Sequence, residues 1–339
     1  MGDPTVLVSP DSLKGCLSAA EAAAAVARGI TTARPDVTVR ELPLSDGGEG
    51  LVDVLRTALG GGELRSVIVS DPFGRPTTAR YLVLRDGLAV TESAQAIGLT
   101  LCSVDELDPF RASSRGLGEL IAHIGTDTDV RELVLGVGGV ATVDGGVGLR
   151  DVLPTLPIPV RVASDVRNPL LGERGAAAVF GPQKGAAPAD IMHLERRLAE
   201  LNHPAAVRDH PGAGAAGGLG AMLLAMGAGI ESGIDLVLSL THWRDAAASA
   251  DLVVTGEGTV DLSSTEGKVV SGVLAAAPPH LPVTVFGGRV RADGAAALRG
   301  LGAAEVVPLS GDIMKAADDL HRLGAAVAPR LPAPNRARL

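Results

Sequence analysis

Thr5-Val6-Leu7-Val8-Ser9-Pro10-Asp11-Ser12-Leu13-Lys14-Gly15-Cys16-Leu17-Ser18-Ala19-Ala20-Glu21 is the stretch that decides the fold. Its apolar start, Val6 to Ser9, reads as a buried strand. Pro10 to Gly15 is a loop. Ser18-Ala19-Ala20-Glu21 is a capping box, in which the Ser hydroxyl takes a free helix N–H and the Glu reaches back to the cap. An Ala-rich helix follows to about Ala33. The pattern then repeats: Thr38 to Leu44 reads as a strand and Gly50 to Leu59 as a helix. Strand, loop, helix, strand, loop, helix implies a parallel sheet.

Further along, the texture changes. Leu64 to Asp71, Thr78 to Arg85 and Leu88 to Glu92 read as strands with tight connections such as Asp86-Gly87, which is antiparallel character. Arg115 to Ile124 reads as a helix, Glu132 to Gly136 and Arg161 to Val166 as strands, and Pro188 suits the first turn of a helix to about Leu201. From Ala250 the first rhythm returns. Leu252 to Val254, Val283 to Phe286 and Glu305 to Leu309 are strands; Lys268 to Ala277, Asp293 to Leu301 and Asp312 to Val327 are helices. The expected class is α/β with two different α/β domains. One is discontinuous, residues 1–70 plus 250–330, around a parallel Rossmann- or flavodoxin-like sheet. A mixed α/β domain, 71–249, is inserted, and 331–339 forms a loose tail.

Composition narrows the function. The 339 residues are 46% apolar but only 2% aromatic, so aliphatic side chains must fill the core. Few aromatics argue against base-stacking nucleic-acid modules. A net charge of −9 argues against a polyanionic partner. Two cysteines, Cys16 and Cys102, make neither a disulfide framework nor a zinc site, and a reducing cytoplasm fits. Pro211 to Ile230 carries no charge, yet its seven glycines favour a buried loop and helix over a membrane span.

The chemistry sits in glycine-rich loops at strand ends. Pro10-Asp11-Ser12-Leu13-Lys14-Gly15 offers Ser12 and Lys14 to a phosphate or carboxylate. Ser45-Asp46-Gly47-Gly48-Glu49-Gly50 and Thr255-Gly256-Glu257-Gly258-Thr259-Val260-Asp261 set carboxylates between glycines, as a hard cation or a general base requires. Gly136, Gly138 and Ala141 match the dinucleotide spacing G-x-G-x-x-A. A second glycine pair, Gly145-Gly146, follows where a helix should run, so an anion-cradling nest suits the segment better. Asp165 ends a strand in Ser164-Asp165-Val166-Arg167-Asn168-Pro169. Gly267-Lys268 lacks the earlier glycine of a Walker loop, since Leu262 stands there. No G-x-S-x-G elbow is present.

Taken in order, these loops resemble the bacterial type I glycerate kinases. Phe180-Gly181-Pro182-Gln183-Lys184-Gly185-Ala186, Gly212-Ala213-Gly214-Ala215-Ala216-Gly217-Gly218 and Asp71-Pro72-Phe73-Gly74 extend the likeness across residues 5 to 320. The resemblance implies phosphoryl transfer from ATP to D-glycerate, usually at the 2-hydroxyl, with Mg²⁺, in the cytoplasm, without nucleic acid or membrane; a homodimer is compatible. Placed on this sequence, it implies Lys14, Asp46, Asp165 and Lys268 as catalytic. Ser12, Gly47, Gly48, Gly138, Gly139, Asn168, Gly214, Gly217, Gly256, Glu257 and Gly258 would contact substrate or nucleotide. Asp46, Glu49, Asp165 and Asp261 would hold Mg²⁺. The sequence also departs from the family. Val140 and Val143 stand where Ser and Asn are usual, Ser263-Ser264 replaces Gln-Thr, and Leu51 replaces Thr. A segment of about thirty residues is reduced to Leu149–Ser164. These changes raise two alternatives: a kinase of a related hydroxy acid, and a paralogue that binds ligand without turnover.

Overall fold

A computed structural model of the chain describes residues 3–333. Its eleven strands, in chain order, are β1 (Thr5–Val8), β2 (Thr38–Glu41), β3 (Glu63–Ser70), β4 (Pro76–Val83), β5 (Leu88–Glu92), β6 (Glu132–Gly136), β7 (Val160–Ala163), β8 (Gly229–Glu231), β9 (Leu252–Val260), β10 (Val283–Val290) and β11 (Glu305–Pro308). They form two sheets, in two compact units.

The first unit comprises residues 1–46, 53–60 and 234–339. Its five-stranded sheet has the order β11-β10-β9-β1-β2 and is parallel throughout. The register pairs Val6 with Val39 on one side and with Leu252 on the other. The helix Ala19–Ala33 is capped as expected, with both hydrogen bonds of the Ser18–Glu21 box in place. Its face of Ala22, Ala23, Val26 and Ile30 packs on Val6, Val8, Leu252 and Val254, with Leu320, Leu323 and Val327 of the last helix. This aliphatic core answers the scarcity of aromatics.

In this unit the chain order reverses between β1 and β9. From β1 it steps one way to β2; from β9 it steps the other way to β10 and β11. Beyond the carboxyl ends of the strands at such a switch point, the two sets of connecting loops part and leave a crevice. Ser9, just past β1, fixes this edge: its N–H donates to the Val254 carbonyl at 2.8 Å, its carbonyl accepts from Thr255 Oγ1 at 2.7 Å, and its Oγ takes the buried Trp243 Nε1–H at 2.9 Å.

The second unit comprises residues 47–52 and 61–233. Its six-stranded sheet has the order β3-β4-β5-β6-β7-β8. β3, β4 and β5 are antiparallel; β5 to β8 are parallel. The helix Arg115–Gly125 buries Leu117, Leu120, Ile121 and Ile124 on it.

Several expectations change. The units divide at 60/61 and 233/234, not at 70 and 250. β3 pairs along its whole length with β4 and so joins the second unit. The helices Gly233–Leu240 and Trp243–Ala248, unread in the sequence, lie at the return of the chain to the first unit, which starts again at Ile234. The uncharged stretch forms the helix Ala215–Ala225, whose Ala216, Gly217 and Gly218 take left-handed φ, and no described helix is long and apolar enough to cross a membrane. The tail is anchored at its start: Leu331 is buried and the Pro332 carbonyl accepts from Arg34 Nη2 at 3.2 Å, while 334–339 lie outside the described residues.

Candidate active site

A cavity of about 380 Å³ opens in the first unit at the switch point. Asp11, Ser12, Leu13, Lys14 and Cys16 line it from the loop after β1, and Asp46 from the segment after β2. Glu257, Gly258, Thr259, Asp261 and Lys268 line it from β9 and its continuation. Five residues expected from the sequence to bear charge or bind cation therefore meet here: Lys14, Asp46, Glu257, Asp261 and Lys268. Ser12 and Gly258 join them.

The acidic stretch Thr255–Val260 is a strand rather than a loop. β9 runs nine residues, pairing Gly256 with Phe286, Glu257 with Gly287 and Thr259 with Arg289. Gly256 permits this: a Cβ there would lie 2.4 Å from the Phe286 carbonyl oxygen. Its role is strand packing. Gly258 is different: a Cβ there would meet only Leu13 Cα and Lys14 N, at 3.8 Å, and the residue lines the cavity.

The electrostatics of the cavity are set by crowded carboxylates. Asp11 holds its place through its own N–H on the Gly256 carbonyl, 2.9 Å, and through Oδ1, which accepts from Ser12 N at 2.6 Å. Burial, and next the charge of Asp46, push its pKa up to about 7; Glu257 adds to the rise. Asp11 belongs to a quoted motif but was absent from the expected site; only its burial beside two other acids reveals it. Glu257 is buried, and its Oε1 has no hydrogen-bond partner among the described residues. Burial raises its pKa too, and Lys268 opposes the rise. Asp261 accepts from Ser263 N at 2.8 Å and from Ser263 Oγ at 2.7 Å, and is held ionised by these bonds. Lys268 Nζ donates to the same Ser263 Oγ at 2.7 Å. Ser264 Oγ accepts from Asp261 N at 3.0 Å. The serine pair that departs from the family thus locks Asp261 and Lys268 in position.

Among the described residues no three His, Cys, Asp or Glu side chains are grouped to hold a metal unaided. Asp11, Asp46 and Glu257 nevertheless supply hard oxygens, one of them buried and unpartnered. That donor set fits Mg²⁺, which keeps waters and takes one or two carboxylates together with phosphate oxygens.

The other expected residues lie in the second unit. Glu49 is exposed and does not line the cavity. Gly47, Gly48, Gly138 and Asp165 form a neighbourhood of their own. A Cβ on Gly47 would lie 3.0 Å from Gly233 Cα, and Gly233 N donates to Asp165 Oδ1 at 2.9 Å, as does Ser232 Oγ at 3.1 Å. A Cβ on Gly138 would sit 3.8 Å from Gly48 Cα. Glu92 steadies this turn by accepting from Gly50 N and Val52 N. Gly138 N–H is taken by Ser93 Oγ at 3.2 Å, and no helix starts until Val147, so the dinucleotide pattern is coincidental. Gly139 has φ +63°. Asn168, Gly214 and Gly217 do not line the cavity: Asn168 Nδ2 donates to the Arg174 carbonyl, and a Cβ on Gly214 or Gly217 would strike the Pro169 or Thr142 carbonyl oxygen. Val140 and Val143 are fully buried in apolar clusters, so they reshape no ligand surface. The shortened Leu149–Ser164 segment still closes β6 onto β7 in regular register.

The sequence model described as the glycerate kinase family matches residues 6–155 and 151–329. The chain belongs to the glycerate kinase family. It is 37% identical over 329 residues to the glycerate 2-kinase of Escherichia coli K12, covering 85% of this chain and 86% of that protein. It is 42% identical to an uncharacterized protein of Mycobacterium bovis, covering 96% and 91%. A crystal structure provisionally described as glycerate kinase 2 of Salmonella typhimurium LT2 superposes with a TM-score of 0.82 at 33% identity, over 97% of this chain and 98% of that one. The α/β fold is thus that of glycerate kinases.

Proposed function

We propose that this glycerate kinase family member transfers the γ-phosphoryl group of ATP to the 2-hydroxyl of D-glycerate, with Mg²⁺. The supporting observation is the cavity at the β1/β9 switch point, whose lining brings together Asp11, Asp46 and Glu257 with Lys14 and Lys268. Phosphoryl transfer needs positioning and charge neutralisation above all. Lys14 and Lys268 neutralise phosphate oxygens, and Ser12 and the Gly258 backbone approach them closely. Asp46 and Glu257 would hold Mg²⁺, which, when bound, supplies charge neutralisation to the phosphates. The acceptor oxygen bonds to the γ-phosphorus as the bond to the bridging oxygen of ADP breaks. The Asp11 carboxylate, whose Oδ1 accepts from Ser12 N, takes the hydroxyl proton.

The burial of Val140 and Val143 and the regular β6–β7 register support this reading over a changed acceptor or a dead site. A ³¹P spectrum of the product tests the assignment. Phosphate on the 2-oxygen couples to the lone C2 proton and gives a doublet. A triplet, from the CH₂ carbon, would overturn the choice of hydroxyl.

A further inference from the structure

The lining of the cavity is chemically mixed. Besides the lysines and carboxylates described above, Leu13, Cys16, Leu309, Ile313 and Ala316 supply an aliphatic wall, and Arg289, Asp312 and Asp319 also line the cavity. Leu309 follows β11, the far strand of the sheet, and Ile313 begins the short turn Ile313–Lys315 before the last helix. Ile313 is 66% exposed and the adjacent Met314 is 86% exposed, an unusual cost for two large side chains beside a polar site. Cys16 ties the two sides of this wall together, its Sγ donating to the Ile313 carbonyl at 3.1 Å.

D-Glycerate has three carbons, each bearing oxygen, and no apolar face to bury. An aliphatic wall contributes nothing to its binding. The donor nucleotide has such a face in its base. We infer that the Leu13–Cys16–Leu309–Ile313–Ala316 wall is the subsite for the purine of the nucleotide, which is thereby bound by the first unit alone. This assignment rests on the kinase reading and adds to it where the base lies. The triphosphate then runs toward Lys14 and Lys268, at the switch point where anions bind in open α/β sheets. No aromatic side chain lines the cavity, so aliphatic contact on the base takes the place of stacking.

The two free cysteines provide the test. Cys102 lies in the second unit, so a Cys102→Ser protein leaves Cys16 as the only thiol. Its alkylation by N-ethylmaleimide is followed by mass spectrometry with Mg²⁺–ADP, with D-glycerate alone, or with neither. Saturating Mg²⁺–ADP should slow modification at least about tenfold, the expected occlusion at ligand concentrations well above Kd, and glycerate alone should not. Ile313→Glu, at an exposed position that folding does not depend on, should raise the KM for ATP about tenfold or more with the KM for glycerate unchanged, as expected for spoiling one apolar contact. Equal alkylation with and without Mg²⁺–ADP, or protection by glycerate alone, overturns the assignment. ADP release on the same sample separates the two failures. Turnover without protection removes only the base subsite; no turnover and no protection removes the kinase reading as well.

Discussion

At the scale of single residues, burial rather than motif decides which acids are unusual. Asp11 carries its proton to about pH 7, from an ordinary 3.8, chiefly because it is buried and next because Asp46 is near. The folded state therefore binds a proton that the unfolded chain has released above about pH 4. Stability falls as pH rises from 4 to 7, and the loss persists above. Asp11→Asn should thus stabilise the fold in metal-free buffer at pH 8 by about 1–2 kcal/mol, seen as a higher thermal midpoint, less than the full shift because the half-buried carboxyl still meets water. At pH 4 it should change little. A lower midpoint at pH 8 would show that the carboxylate is stabilised there.

Lys184 is a second buried charge, in the second unit. Its Nζ donates to the Thr142 carbonyl at 2.7 Å, and burial pulls its pKa down to about 7 against the opposing pull of Asp144. Lys184→Ala leaves a cavity and an unpaired carbonyl and should cost roughly 2–4 kcal/mol by urea unfolding. Lys184→Met, which fills the volume, should cost much less. Equal losses would mean that the amine hydrogen bond carries the effect. The sequence showed a lysine between glycines, but its burial depends on neighbours distant in the chain.

Among elements, the strands and the capped first helix were legible because their signals are local. The Ser18–Glu21 box and the apolar runs of β1, β9 and β10 need no tertiary knowledge. The acidic stretch Thr255–Val260 was read as a loop because glycine and polar residues are poor strand formers. Pairing with β10 overrides that preference, and Gly256 allows it by admitting the Phe286 carbonyl. Gly256→Ala should therefore lower the midpoint by several degrees and also reduce kcat, since Glu257 follows directly on the displaced strand. An unchanged midpoint in circular dichroism would contradict this account of β9. The helices Gly233–Leu240 and Trp243–Ala248 were missed for a related reason: Gly233 starts one and His242, with φ +51°, separates them. Only packing resolves such boundaries.

For the whole molecule, sequence reading found the two-part α/β plan but gave β3 to the first part and residues 234–249 to the second, the reverse of where each lies. Alternating strands and helices reveal a parallel sheet; which strand joins which sheet depends on long-range pairing, as β3 with β4 shows. Site legibility divides in the same way. Lys14, Asp46, Glu257, Asp261 and Lys268 were recognisable by type and place and do share one cavity. Asn168, Gly214 and Gly217 fit the same loops by motif, yet their close contacts are with backbone carbonyls of the second unit. Loop composition cannot distinguish a glycine that admits a ligand from one that admits another strand or loop.

The central claim is that the cavity at the β1/β9 switch point transfers phosphate to glycerate, with Asp46 essential there. A coupled assay of ADP release, with ATP, Mg²⁺ and D-glycerate, compares the unaltered protein with Asp46→Asn, both checked for equal thermal midpoints. The account predicts glycerate-dependent release by the unaltered protein and a fall of about 10²-fold or more in the variant, the scale of losing one charge-stabilising group in a reaction site. Equal release by both proteins, or none from the unaltered protein with glycerate, would contradict it.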